Sequence, residues 1–204
     1  MSKNIDKIFY INLDKRPDRK ETIESELTKF SIINKVERYS AIETNQGFIG
    51  CAKSHLNVLK LAKEQNYDNV LILEDDFTFI ISPEEFEQEL TNFFATDIPY
   101  DVIMISYNMI KHQRLENITV DKIIEAQTAS GYIVHSNYYQ KLIDLLEDAI
   151  PKLEATHMHW VYANDQIWKQ YQPHDNWYFF KKRFGIQRPD YSNNSNCVVD
   201  YEGV

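Results

Sequence analysis

Asp68-Asn69-Val70-Leu71-Ile72-Leu73-Glu74-Asp75-Asp76-Phe77 is the stretch whose reading decides the fold. Four consecutive apolar residues, two of them β-branched, describe a strand buried on both faces, the kind that occurs in parallel sheets covered by helices on each side. Three carboxylates follow at once. Side chains alternate along an extended strand end, so Glu74 and Asp76 are expected to point one way and Asp75 the other. Two like charges side by side repel, and a divalent cation removes that repulsion. Mg²⁺ or Mn²⁺ accepts a few carboxylate oxygens and leaves other positions for water and phosphate. The place fits as well, because ligands of open α/β sheets bind beyond the carboxyl ends of the strands. Taken alone, Glu-Asp-Asp reads as a solvated acidic loop; its junction with an apolar strand is what points to a site.

Upstream, Ile8-Phe9-Tyr10-Ile11-Asn12-Leu13 is a second apolar run, followed by the loop Asp14 to Arg19 and a helical pattern with Ile23, Leu27 and Phe30 on one face. Arg16 and Arg19 sit where a sheet's carboxyl edge meets a helix start, a suitable place for phosphates, although the same spacing suits exposed arginines. Val36 to Ile42 predicts a short strand. Gly47 and Gly50, two of only five glycines, imply a sharp turn or a close approach just before a helix over Ala52 to Gln65. His55 falls within that helix's apolar face and is expected to be a buried, hydrogen-bonded histidine rather than a ligand.

Downstream, Ser82-Pro83-Glu84-Glu85 supplies an N-cap, a proline at the first helical position and a glutamate at the third, with Phe86, Leu90 and Phe93 facing inward. Asp101 to Ser106 reads as a buried strand and the polar run Lys111 to Asp121 as a loop over a site. Ile123 to Ala126 and Gly131 to Val134 read as strands, and Tyr138 to Ala149 as an amphipathic helix that stops before Pro151. His157, His159, Trp160, Tyr162, Asn164, Asp165, Trp168, His174 and Trp177 then crowd together. His157 and His159 would share a face on a strand, but the spacing supplies no structural zinc site. Gln187 to Ser195 is turn-rich and is expected to cap an edge.

The 204 residues, 43% hydrophobic, suffice for one core, and a single domain over residues 1–204 is expected. A net charge of −9 excludes a nucleic-acid scaffold, whose footprint is basic, and suits a cation or sugar better. Cys51 and Cys197 form no disulfide framework, and no signal or transmembrane run is visible, so a soluble, cytoplasmic protein is expected. Strands alternating with helices from end to end imply a three-layer α/β/α domain with a mostly parallel central sheet.

Taken together and in order, the motifs resemble glycosyltransferase family 25, which includes lipooligosaccharide and procollagen galactosyltransferases. The matching stretches are Phe9 to Leu13 with Arg16 and Arg19, Val36 to Ile42, Gly50-Cys51-Ala52-Lys53-Ser54-His55, Val70 to Asp76, Thr128 to Val134, Asn164-Asp165-Gln166 and Gln187 to Ser192. The resemblance implies a GT-A fold and a role of the lipopolysaccharide-biosynthesis or collagen-galactosyltransferase type. It also implies a UDP-sugar donor, Mn²⁺ or Mg²⁺, and transfer of a hexose, galactose or glucose, to a glycan or glycoprotein with inversion. By the same resemblance, Glu74, Asp75 and Asp76 form the metal site, with Glu74 and Asp76 as ligands; His174 is a candidate for the late metal ligand that other GT-A enzymes use, although no spacing supports it. Asn12, Leu13, Arg16 and Arg19 hold the nucleotide, and Asp165 is the catalytic base. Two other classes compete: a domain that binds nucleotide sugar or glycan without turnover, and a metal-dependent phosphohydrolase, which usually recruits more carboxylates.

Overall fold

Alternation along the apolar strands sets the layering. The computed structural model describes residues 4–116, 119–192 and 197–199. The first half runs β1 (Lys7–Asn12), α1 (Pro17–Lys29), β2 (Val36–Ser40), α2 (Gly47–Glu64), β3 (Asn69–Glu74), β4 (Phe77–Phe79) and α3 (Pro83–Phe94). There follow β5 (Val102–Met104), β6 (Asn108–Gln113), β7 (Val120–Gln127), β8 (Gly131–His135) and α4 (Tyr139–Thr156). The rest comprises α5 (His159–Tyr162), α6 (Asn164–Ile167), β9 (Trp177–Phe180), β10 (Gly185–Gln187), β11 (Asp190–Ser192) and β12 (Cys197–Val199).

Among the described residues, eight strands form one sheet in the order β2-β1-β3-β8-β5-β9-β7-β6. Strands β7 and β8 run against the other six, so the sheet is mostly parallel in direction although several of its pairings are antiparallel. Phe9 and Ile11 of β1 and Val70 and Ile72 of β3 join one core cluster with α2 and α4. Ile8 and Tyr10, and Leu71 and Leu73, join the other with α1 and α3. Both faces of the central strands are therefore covered, each buried aliphatic side chain contributing about 1.5–3 kcal/mol, and the three layers follow.

The order around β1 places the site. From β1 the chain crosses by α1 to β2 on one flank, then returns by α2 to β3 on the other, and the two helices lie on opposite faces. Such a reversal opens a crevice at the carboxyl ends of the strands. The acidic motif ends β3 at that crevice.

Helix α3 starts as its sequence predicts: Ser82 Oγ accepts the Glu85 N–H at 3.2 Å and Glu85 accepts the Ser82 N–H at 3.0 Å. Elsewhere the structure corrects the sequence. Helix α2 begins at Gly47, so both glycines lie inside its first turn. The polar run after Asn108 is not a loop throughout: Lys111 to Gln113 complete edge strand β6, paired with β7. Helix α4 passes through Pro151, whose exposed position lets water take the carbonyl that loses its N–H partner. His157 ends that helix in the left-handed conformation (φ 55) and His159 starts α5, so neither is on a strand. Gly185 to Gln187 pair with β4, and Asn193 to Ser195 lie outside the described residues. Among the described residues no helix is long and apolar enough to cross a membrane.

Gly50 shows what the scarce glycines are for. A Cβ on it would lie 2.2 Å from the Ile42 carbonyl oxygen, and the same loop is stapled by Ser54, whose Oγ accepts the Ile42 N–H at 2.9 Å and donates to Gly50 O at 2.7 Å. Gly50→Ala must push the β2–α2 connection off the sheet, and overpacking of this kind costs about 1–3 kcal/mol. A melt within about a degree of wild type would show that the loop yields freely.

Candidate active site

Three acids and two helix starts enclose a cleft of about 330 Å³ at the carboxyl ends of β1, β2 and β3. Leu13, Arg16 and Arg19 line it from β1 and α1, Ala41 to Asn45 from the β2–α2 loop, Gly50, Cys51 and His55 from α2, and Glu74, Asp75, Asp76 and Gln187 close it. Because β3 ends at Glu74 and a turn follows, the strict alternation expected for the acids fails. Asp75 and Asp76 instead share one guanidinium: Arg19 Nη1 donates to Asp75 Oδ1 at 2.8 Å and to Asp76 Oδ2 at 3.2 Å.

Arg19 is buried, so this pairing offsets like-charge repulsion that the sequence reading assigned to a cation. Asn12 is also committed. Its Nδ2 donates to Asp75 Oδ2 at 2.8 Å and to Arg16 O at 3.0 Å, while its Oδ1 accepts from Arg38 at 2.9 Å. Arg16 pairs with Asp18 at 2.7 Å at the mouth of the cleft. Asn12 and Arg19 thus brace the acids, and Leu13 and Arg16 face the space where a ligand would sit.

Glu74 is held from the α2 side. His55 Nε2 lies 3.1 Å from Glu74 Oε1, Cys51 Sγ 3.5 Å from the same oxygen, and Gln187 Nε2 3.4 Å from Oε2. The carboxylate can only accept, so His55 Nε2 carries the proton of that contact, and Nδ1 lies 2.9 Å from the Tyr132 hydroxyl. His55 is buried and hydrogen-bonded, as its place on the apolar face predicts. Burial raises the Glu74 carboxyl, and the bonds from His55 and Cys51 outweigh it, leaving the group below its usual range. Asp76 goes the other way: burial, then the charge on Glu74, push it up to about 7. Its Oδ1 is buried with no hydrogen-bond partner among the described residues. Asp75 is raised by burial, against the pull of Arg19.

Asp165 stands across a shared wall. A second cavity of about 230 Å³ is lined by Phe48, Asn108, Gln127, Thr128, Ala129, Ala163, Asn164 and Asp165, and shares Cys51 and Gln187 with the first. Asp165 lies inside the short helix α6, not at its cap, and its Oδ2 accepts the Thr128 N–H at 3.2 Å. Thr128 has φ 86, an unfavourable conformation for a β-branched residue, held where its N–H meets that carboxylate. Burial raises the Asp165 carboxyl.

His174 is not brought to these groups. It precedes the start of β9, which runs in the same direction as β3, so it lies at the opposite edge of the sheet from the end of β3. Gln187 and Thr128 are the site residues that sequence reasoning missed. Gln187 arrives through the pairing of β10 with β4, which no local pattern announces.

Several solved structures share this architecture. A glycosyltransferase involved in glycosylating the major capsid of PBCV-1 superposes with TM-score 0.56 at 10% identity, covering 93% of this chain and 95% of that one. Mannose-1-phosphate geranyltransferase of Thermus thermophilus gives TM-score 0.52 at 7% identity, covering 91% and 74%. The glycosyltransferase GlyE of Streptococcus pneumoniae gives 0.50 at 8%, covering 87% and 45%. At these identities the likeness concerns the fold, which is GT-A-like. No curated protein sequence matches the chain significantly. Residues 34–168, well over half of the chain and spanning both the acids of β3 and Asp165, match the family described as glycosyltransferase family 25 (LPS biosynthesis protein), and the protein belongs to that glycosyltransferase family.

Proposed function

We propose that the protein is a cation-dependent, inverting transferase that moves a hexose, galactose or glucose, from a UDP-sugar to a hydroxyl of a glycan or glycosylated protein. The observation that carries this reading is the pair of cavities meeting at Cys51 and Gln187, with the acids of β3 in one and Asp165 in the other. Glu74 and Asp76 would hold Mn²⁺ or Mg²⁺: they offer hard oxygen donors, and the partnerless Asp76 Oδ1 is a buried acceptor that a cation would satisfy. When bound, such an ion supplies Lewis-acid stabilisation of the charge on a departing diphosphate.

The chain's own groups do the remaining work. Arg19 holds Asp75 and Asp76 together, so the acids stay converged without a ligand. Lys15 and Arg16 bring positive charge to the mouth of the cleft beside the start of α1, suited to phosphates. Ile11, Leu13, Ala41 and Ile42 add apolar wall for a base. Asp165 takes the proton of the acceptor hydroxyl; burial raises its carboxyl above the ordinary aspartate value, which makes it the stronger base. Attack from the second cavity, opposite the leaving diphosphate, gives inversion in a single displacement.

The test is thermal melting with a panel of UDP-sugars, each with and without Mn²⁺, followed by assay of UDP release with glycan acceptors. A ligand at 100 times its Kd adds about 2.7 kcal/mol to the folded state, or roughly 5–10 °C for a chain of this size. The melt should rise most with donor and Mn²⁺ together. No rise with any UDP-sugar removes the donor assignment, and binding without UDP release leaves a binding domain only.

A further inference from the structure

Cys51 and His55 lie four residues apart on α2, so both side chains fall on the same helical face, and Glu74 reaches that face from the end of β3. Cys51 Sγ is 3.5 Å and His55 Nε2 3.1 Å from the same oxygen, Glu74 Oε1, and one ligand atom from each residue lies within 4.8 Å of the other two. A tetrahedral ion with bonds of about 2.3 Å to sulfur and about 2.0 Å to nitrogen and oxygen sets the sulfur–oxygen edge at about 3.5 Å and the nitrogen–oxygen edge at about 3.3 Å. The two observed edges fit that tetrahedron closely. All three residues line the main cleft, which leaves a fourth position facing open space.

The surroundings are those of a built site. The Tyr132 hydroxyl sits 2.9 Å from His55 Nδ1, the outer bond that fixes a ligating imidazole, and Asn164 Nδ2 lies 4.0 Å from the Cys51 sulfur. Both elements bearing the ligands are regular and packed on the sheet, so little ordering is needed on binding.

We infer that Cys51, His55 and Glu74 form a second cation site, selective for a thiophilic ion of the zinc type. Thiolate and imidazole favour such an ion over Mn²⁺ and Mg²⁺, which prefer oxygen. Binding forms metal–sulfur and metal–nitrogen bonds: the thiol proton goes to solvent, and His55 Nε2 gives up its proton so that the ligating ring carries one on Nδ1, donated to the Tyr132 hydroxyl oxygen. Glu74 belongs to this set and to the oxygen set proposed for Mn²⁺, so one ion disturbs the other. That competition rests on the transferase reading; the site itself does not.

Co²⁺ titrated into the full chain under reductant provides the test, because a cobalt–thiolate bond gives a near-ultraviolet charge-transfer band and tetrahedral Co²⁺ absorbs strongly in the visible. Wild type and Cys197→Ser should show both features at one ion per chain, with Zn²⁺ displacing the cobalt. Cys51→Ser should lose the thiolate band, and His55→Gln should bind at least about tenfold more weakly. Should Cys51→Ser fail to fold, Zn²⁺ protection of Cys51 from alkylation in Cys197→Ser gives the same answer, with a slowing of at least about tenfold expected. Absence of the band in wild type, its survival in Cys51→Ser, or alkylation unaffected by Zn²⁺ overturns the site. An intact cobalt spectrum in a protein that binds no UDP-sugar would sink the transferase reading and leave the site standing.

Discussion

Asp76→Asn should lower transfer by about 10³-fold or more and abolish the Mn²⁺-linked rise in melting temperature, while the metal-free protein melts at or above the wild-type temperature. The loss corresponds to about 4 kcal/mol at 1.36 kcal/mol per tenfold, within the several kcal/mol that cation stabilisation of a leaving group supplies. The stability half follows from the site's electrostatics. Asp76 is pushed up to about 7 by burial and then by the charge on Glu74, so its ionised form is unfavourable in the empty fold. The folded state therefore binds more protons than the unfolded chain between the ordinary value of 3.8 and about 7. The Asp76 contribution is fully present below the lower value and is lost as pH rises through the upper one. The amide keeps the shape without the charge, so its advantage over wild type in chelator should be largest above pH 7 and vanish near pH 4. Melts of both proteins across that range check it; a variant less stable than wild type at pH 8 would contradict the account.

Asp165→Asn should reduce transfer by about 10²–10⁴-fold, the usual worth of a positioned base, with donor and Mn²⁺ shifts in melting temperature retained. The amide oxygen can still accept the Thr128 N–H, so the strained turn at φ 86 keeps its anchor and the fold should survive. Asp165 lines the second cavity and not the first, which is why donor binding should be indifferent to it. Transfer within tenfold of wild type would mean that another group removes the proton. Equal loss of donor binding would mean that the residue shapes the whole cleft.

The layered core was legible because its strands are buried on both faces: Phe9-Tyr10-Ile11 and Val70 to Leu73 leave no polar position for an alternative. The Ser82–Glu85 capping box was legible because its physics is local. Strand β6 was not, since an exposed edge strand lacks an apolar face and its polar residues imitate a loop. The acids of β3 announced themselves by charge at a strand end, but not the fate of Arg19, which pairs with Asp75 across 56 residues. His174 misled for a related reason: a sequence lists residues without telling which edge of the sheet each reaches. Cys51 and His55 carried a readable signal in their four-residue spacing, whereas their meeting with Glu74 depends on how α2 lies on β3.

The ribbon of β10 against β4 has a consequence for how the protein is made. Gln187 reaches Glu74 from 113 residues further along the chain, and the Arg188 N–H closes on the Asp76 carbonyl at 2.7 Å. During synthesis the acid motif leaves the ribosome long before the segment that walls it in. A message cut short after Phe184 would encode every carboxylate of the cleft and still yield a protein whose pocket stands open on one side.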